Sequence, residues 1–178
     1  SHTTVIVGAG HAGFQLAVSL RQSGYEGAIR LVNGESEPPY QRPPLSKTYL
    51  KGEGGIVALA FRPETFFSEQ RIDLIADHAI AINRAAKRVR LAAGAPLGYD
   101  HLVLATGAAN RPLPLRDARV PVSYIRSFTE TEDLRLRLAG ARHVVVVGAG
   151  FIGLEFAATA RARGLAVDVV ELGPRPMA

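Results

Sequence analysis

The glycine triplet of a phosphate-binding loop occurs twice in this chain, as Gly8-x-Gly10-x-x-Gly13 and as Gly148-x-Gly150-x-x-Gly153, at an offset of 148 − 8 = 140 positions. Each copy follows an apolar, β-branched run and precedes a segment with helical spacing of its apolar residues. In such a loop the first glycine permits a tight turn, the second lets the backbone approach a diphosphate, and the third lets helix and strand pack closely. The diphosphate then meets the helix start, where unpaired N–H groups and about half a positive charge await it. A single copy is a weak signal, because tight turns explain most chance matches. Here the copies also agree at Ala9 and Ala149, Ala17 and Ala157, Arg21 and Arg161, and Gly24 and Gly164. Two such loops predict two dinucleotide cofactors brought together by one chain, as redox chemistry between them requires.

The second strand of the second copy ends Val167-Asp168-Val169-Val170-Glu171. A carboxylate there accepts both hydroxyls of an adenine ribose and repels a 2′-phosphate, which favours NADH over NADPH. The alternative is an acid that merely ends a strand at a surface. In the first copy the matching position is Asn33, followed by Gly34 and Glu35, and Glu35 is the candidate for the first ribose to within one residue. His2, His11, His78, His101 and His143 show no metal spacing and no adjacent carboxylate constellation, so they are given neither a metal nor a catalytic role.

The elements that must carry these residues follow from pattern. Thr3 to Val7 reads as a buried parallel strand, and the segment after the first loop reads as a helix closed at Gly24. Ala28 to Val32 completes a βαβ unit. Glu35 to Pro44 holds four prolines and is irregular. Leu45 to Leu50 reads as a short helix stopped by Gly52, Pro63 to Gln70 as a second one, and Ile72 to Ala76 as a strand. His78 to Asn83, Lys87 to Ala92 and Tyr99 to Thr106 form a meander leading into a final buried strand at Leu102 to Ala105, ended by Gly107. Arg111 to Pro121, rich in Pro and Arg, reads as a linker, and acids at 130, 132 and 133 open a helix that runs to about Leu138. Val144 to Val147, Phe151 to Arg163 and Val167 to Glu171 repeat the first unit. One helix and two strands cannot cover both faces of a parallel sheet, so this second unit is expected to be incomplete and the chain to be part of a longer one.

The 178 residues are 47% apolar and contain no cysteine, which excludes disulfides, thiolate metal sites and thiol redox centres within them. No apolar run is long enough to span a bilayer, and the opening strand lacks the pattern of a signal peptide, so a cytoplasmic protein is expected. Ser1-His2 has the look of a tag remnant and is left out of the fold argument. The net charge of +5 favours an acidic partner. Nucleic acid is the rival partner, but the arginines are scattered through helical segments, without a tract or interleaved aromatics.

Pro39-Tyr40-Gln41-Arg42-Pro43-Pro44-Leu45-Ser46-Lys47 is more specific than the glycines. With VIVGAGHAG at the start, LVLATGA at 102–108 and VVVGAGFIGLEFAA at 145–158, it resembles the FAD-dependent NADH:ferredoxin reductases that serve haem monooxygenases and ring-hydroxylating dioxygenases. The resemblance implies an α/β fold of two Rossmann-like, FAD/NAD(P)-binding, glutathione-reductase-like units, the second incomplete. It implies an FAD-binding domain with a β-meander over residues 1–110 and the start of a truncated NAD-binding domain over 111–178. Gly8, Gly10, Ala12, Gly13, Gly34, Glu35, Arg42, Pro43, Lys47, Ala79 and Arg126 would then contact FAD, with Ala105, Thr106 and Gly107 near its diphosphate. Gly148, Gly150, Phe151, Ile152, Gly153, Glu155 and Glu171 would contact NADH. Lys47 would lie beside the hydride-accepting nitrogen of the flavin, paired with Glu155, where a cation stabilises negative charge on the reduced ring. The first copy has Gln15 where the second has Glu155. Disulfide-reducing and peroxidase-type relatives carry redox cysteines that this chain lacks, so the resemblance implies an external acceptor, an acidic [2Fe–2S] ferredoxin. Rubredoxin or another acceptor is the alternative, as is a binding or signalling role like that of the apoptosis-inducing flavoproteins.

Overall fold

The computed structural model of this chain describes residues 2–52, 54–114 and 119–177. Ser1, and positions 115–118 of the expected linker, lie outside the described residues. The chain divides into two compact units, Ser1–Gln41 with Ile56–Ala108, and Arg42–Gly55 with Ala109–Ala178.

The first unit runs β1 (Thr3–Val7), α1 (His11–Gln22), β2 (Ala28–Asn33), α2 (Ile56–Leu59), α3 (Glu64–Glu69), β3 (Ile72–Ala76), β4 (Ala79–Asn83), β5 (Arg88–Leu91), β6 (Leu97–Gly98) and β7 (His101–Leu104). Its parallel sheet has the order β3-β2-β1-β7, and β4, β5 and β6 form an antiparallel meander. The central strands are mostly apolar, with Val5 to Val7 and Leu31 and Val32 buried, because both faces are covered. Ile6, Ile29 and Leu31 pack with Phe14, Ala17 and Phe67 on the helical side, while Val5, Val7 and Val32 pack with Val89, Leu91 and Leu97 of the meander on the other. The Asp77 carboxylate ties the end of β3 to the turn after β5 by accepting N–H bonds from His78, Ala93 and Gly94.

Three elements depart from the sequence pattern. The expected buried strand at 102–105 is the edge strand β7, paired only with β1, and Leu104 remains 59% exposed. The helix expected over 45–50 is a single 3₁₀ turn, Pro43–Ser46. Two prolines suit its start, where N–H groups have no helical partner, and Lys47 turns out of helical geometry at φ −112° and ψ −109°. The four-residue helix α2 is too short to leave a periodic trace in the sequence.

The second unit contains that turn, followed by α4 (Phe128–Leu138), β8 (His143–Val147), α5 (Phe151–Ala162) and β9 (Ala166–Val170). β8 and β9 pair in parallel, and Val146 packs with Leu134, Leu138, Phe156, Ala157, Ala160, Leu165 and Leu50. On the opposite face Val145, Val147 and Val170 are 53% to 58% exposed. Helix α4 opens with a capping box: Ser127 Oγ accepts from the Glu130 N–H while the Glu130 carboxylate accepts from the Ser127 N–H.

The repeat read from the glycines extends into the hydrogen bonds. Gly8 N–H donates to Val32 O and Gly148 N–H to Val170 O, closing each loop on its second strand at 2.9 and 2.8 Å. Arg21 Nη1 donates to Tyr25 O and Arg161 Nη1 to Leu165 O, so the matched arginines each tie their helix to the chain that leaves it. Among the described residues no helix is long and apolar enough to cross a membrane.

Candidate functional site

Each glycine of the loops has a distinct geometric reason. Gly8 and Gly148 adopt φ of +104° and +102°, which only glycine holds without strain. A Cβ on Gly8 would also stand 2.2 Å from Ala105 O, so the backbone of Ala105-Thr106-Gly107 runs directly against the first loop. A Cβ on Gly13 or Gly153 would meet the carbonyl of Gly8 or Gly148 at 1.8 or 2.1 Å, which makes these the helix-on-loop packing positions. Gly10 and Gly150 differ, because nothing lies within 4 Å of a Cβ built on either. Packing does not explain glycine there, and the space beside each is open. Both residues are the N-caps of α1 and α5, and neither helix start has a side-chain cap. Ala12, Phe151 and Ile152 lie in these first turns, with the side chains of Phe151 and Ile152 exposed.

Glu171 stands one residue beyond β9, at the level of the second loop. Its carboxylate accepts N–H bonds from Gly173 at 2.9 Å and Ala149 at 2.6 Å, and these bonds hold it below the usual glutamate range. At the matching place in the first unit, Asn33 takes another part: Nδ2 donates to Glu37 O at 2.7 Å and shapes the turn that carries Gly34 and Glu35. Glu35 Oε2 accepts from the hydroxyl of Tyr40, a residue only 4% exposed, at 2.6 Å. Gly34 lies against the His78 ring, which a Cβ would meet at 2.8 Å, and Ala79 follows His78 at the start of β4.

Arg42, Pro43, Lys47 and Arg126 fall in the second unit. Arg42 Nη1 donates to Arg126 O at 2.7 Å. Lys47 Nζ lies 3.5 Å from Glu155 Oε1, the lysine side chain 55% and the glutamate side chain 34% exposed. Ser46 donates its hydroxyl to the other Glu155 oxygen at 2.7 Å. Ser46, Lys47 and Glu155, with Lys51, Ala158 and Thr159, line a cavity of about 430 Å³. The turn is pinned from beneath by Tyr49, which is 1% exposed, packs on Phe128 at 5.1 Å, lies under the Arg135 guanidinium at 4.8 Å and donates to Glu132. Burial and the bond to Glu132 push the Tyr49 phenol up from its ordinary value. Leu50 O accepts from Arg163, the residue that follows α5.

Sequence reasoning did not find Ser46, whose partner lies 109 positions away, nor Tyr40 and Tyr49. The capping box was legible as Ser127-x-x-Glu130. Two histidines lie beside carboxylates distant in sequence, His143 Nε2 at 2.8 Å from Asp168 Oδ2 and His2 Nδ1 at 3.9 Å from Asp100 Oδ2. Among the described residues no group of three or more His, Asp or Glu forms a metal cluster.

Comparison with known proteins extends this geometry. Rhodocoxin reductase of Rhodococcus erythropolis is 51% identical over 98% of this chain and 41% of the relative. Putidaredoxin reductase of Pseudomonas putida is 41% identical over 96% of this chain and 42% of the relative. The crystal structure of the ferredoxin reductase for the CYP199A2 system from Rhodopseudomonas palustris superposes with a TM-score of 0.96 at 58% identity, over 99% of this chain and 44% of that one. The covalent putidaredoxin reductase–putidaredoxin complex gives a TM-score of 0.93 at 40% identity, over 99% of this chain and 44% of that one. The chain therefore spans 41% and 42% of the length of these two curated relatives. The family model for pyridine nucleotide-disulphide oxidoreductases matches residues 2–178, and this cysteine-free chain belongs to that family.

Proposed function

We propose that this chain is the cofactor-binding part of an FAD-dependent oxidoreductase that passes electrons from NADH to a small acidic [2Fe–2S] ferredoxin, which in turn serves a haem monooxygenase or ring-hydroxylating dioxygenase. The observation that carries the reading is the pair of loops with open glycines at uncapped helix starts, each with a carboxylate near the end of its second strand. The relatives are themselves named as reductases of redox proteins, which supports the same reading. We assign the flavin side to residues 1–110 and the nicotinamide side to 111–178, with the stretch 42–55 packed in the second compact unit.

In this reading the loop amides at residues 11–13 and 151–153 hold diphosphates, helped by the helix dipoles. Glu35 and Glu171 accept ribose hydroxyls, and Glu171 disfavours a 2′-phosphate by charge repulsion. Lys47 places a cation where negative charge develops, and Glu155 fixes that cation. When bound, the flavin supplies the conversion of a hydride into single-electron steps. The chain's lack of cysteine leaves no thiol to take those electrons, so they go to an external acceptor. A net charge of +5 suits an acidic one.

A rubredoxin is the second acceptor class, favoured by relatives named rubredoxin–NAD(+) reductase at 43% and 42% identity. Steady-state cytochrome c reduction with NADH and a [2Fe–2S] ferredoxin, compared with a rubredoxin, separates the two. Turnover with the ferredoxin is the expected result, and turnover with rubredoxin alone would reassign the acceptor.

A further inference from the structure

We infer that Ser46 is a positioning residue: it fixes the Glu155 carboxylate and, through it, places the Lys47 ammonium. The inference rests on the functional reading above for its kinetic consequence, but its geometry stands alone. Two consecutive residues of one turn grip the two oxygens of one carboxylate, Ser46 Oγ at 2.7 Å from Oε2 and Lys47 Nζ at 3.5 Å from Oε1. The two grips are unequal. Lys47 is more than half exposed, and an exposed ion pair that immobilises a four-torsion side chain contributes little. Ser46 is only 6% exposed and has one side-chain torsion to fix, and a hydroxyl bond to a carboxylate belongs to the stronger, charge-assisted class.

The fixed member of the triplet is therefore the Ser46–Glu155 bond, and the lysine takes its place from the carboxylate. The fold supports this order. Pro43 and Pro44 set the turn that delivers Ser46, and Arg42, Tyr49 and Leu50 fasten the turn on either side through Arg126, Glu132 and Arg163. With Oε2 taken by serine, Oε1 faces the ammonium, and the serine hydroxyl, lysine and glutamate all open on the same cavity.

The test compares wild-type protein with Ser46→Ala, Glu155→Gln and the double variant. The first readout is ¹⁵N relaxation of the Lys47 side-chain ammonium, assigned with Lys47→Arg, and it needs no cofactor. Wild-type Lys47 is expected to be less mobile than the exposed Lys87; Ser46→Ala and Glu155→Gln should each release it to that level, and the double variant should release it no further. The second readout is single-turnover flavin reduction by NADH in the flavin-loaded protein. Ser46→Ala should slow the limiting rate about tenfold while the NADH concentration for half-saturation stays within about twofold, the pattern of lost alignment rather than lost binding. Lys47 mobility unchanged in Ser46→Ala but raised in Glu155→Gln would overturn the inference, as would additive rate losses in the double variant. Failure of the wild-type protein to take up flavin would sink the functional reading instead, and the ammonium mobility would still decide the role of Ser46.

Discussion

At the scale of single residues, the glycines of one loop separate into those that packing requires and those that packing leaves open. A Cβ at position 13 or 153 enters a backbone carbonyl, so Gly13→Ala and Gly153→Ala should each cost about 2–3 kcal/mol, read as a lower Tm. Gly10→Ala meets no atom within 4 Å and should melt with wild-type protein, yet bind FAD at least about tenfold more weakly because the methyl fills the place of the diphosphate. Equal Tm losses at positions 10 and 13 would remove the distinction. Glu171 allows a test by pH. Its carboxyl is held below the usual glutamate range by the N–H groups of Gly173 and Ala149, so these bonds add stability that is complete above that range and is lost as pH falls through the lowered value. The Tm difference between wild type and Glu171→Gln should therefore be largest near neutrality and vanish in acid; a difference independent of pH would contradict it. The glycines and Glu171 are legible in a sequence because their reasons are local: a turn, a packing contact, a strand end. Ser46, Tyr40 and Tyr49 are not, because each acts through a partner that only the tertiary fold supplies.

Among the elements, the strands of both repeats announce themselves by apolar runs, and in the first repeat residues such as Val5 and Ile6 face opposite covered sides of a parallel sheet. What pattern reading mistook was the stretch 43–52. Its prolines and apolar residues look like a short helix, but the turn is held by distant partners and not by helical periodicity. Tyr49 is its anchor, and Tyr49→Ala should cost about 3–5 kcal/mol, measured by denaturant unfolding. Tyr49→Phe keeps the ring under Arg135 and removes only the bond to Glu132, so its cost should be nearer 1–2 kcal/mol, on the order of one hydrogen bond to a charged group. Equal costs for the two variants would mean that the hydroxyl, and not the packed ring, holds the turn. β7 shows the converse limit: an apolar run announces a strand, but whether its second side is covered depends on neighbours that the run does not encode.

For the chain as a whole, two observations bear on the proposed acceptor: a net charge of +5 and the absence of cysteine. If the acceptor is an acidic ferredoxin, kcat/KM for that acceptor should fall several-fold as ionic strength rises from about 0.01 M to about 0.15 M, where the Debye length shrinks from roughly 30 to 8 Å. Reduction of a neutral dye should change little over the same range, and equal salt responses would remove charge steering from the account. The charge and the doubled loop were legible in the sequence, whereas no docking face was, because the arginines are scattered along it. The central claim is that two loops of one geometry hold a flavin and a nicotinamide dinucleotide in one redox path. Its most direct measurement is the visible absorption of the purified full-length protein before and after anaerobic addition of NADH. A flavin spectrum that bleaches with NADH, and far less readily with NADPH, is the predicted result; a folded protein with no flavin spectrum, or a flavin that NADH leaves oxidised, would contradict it.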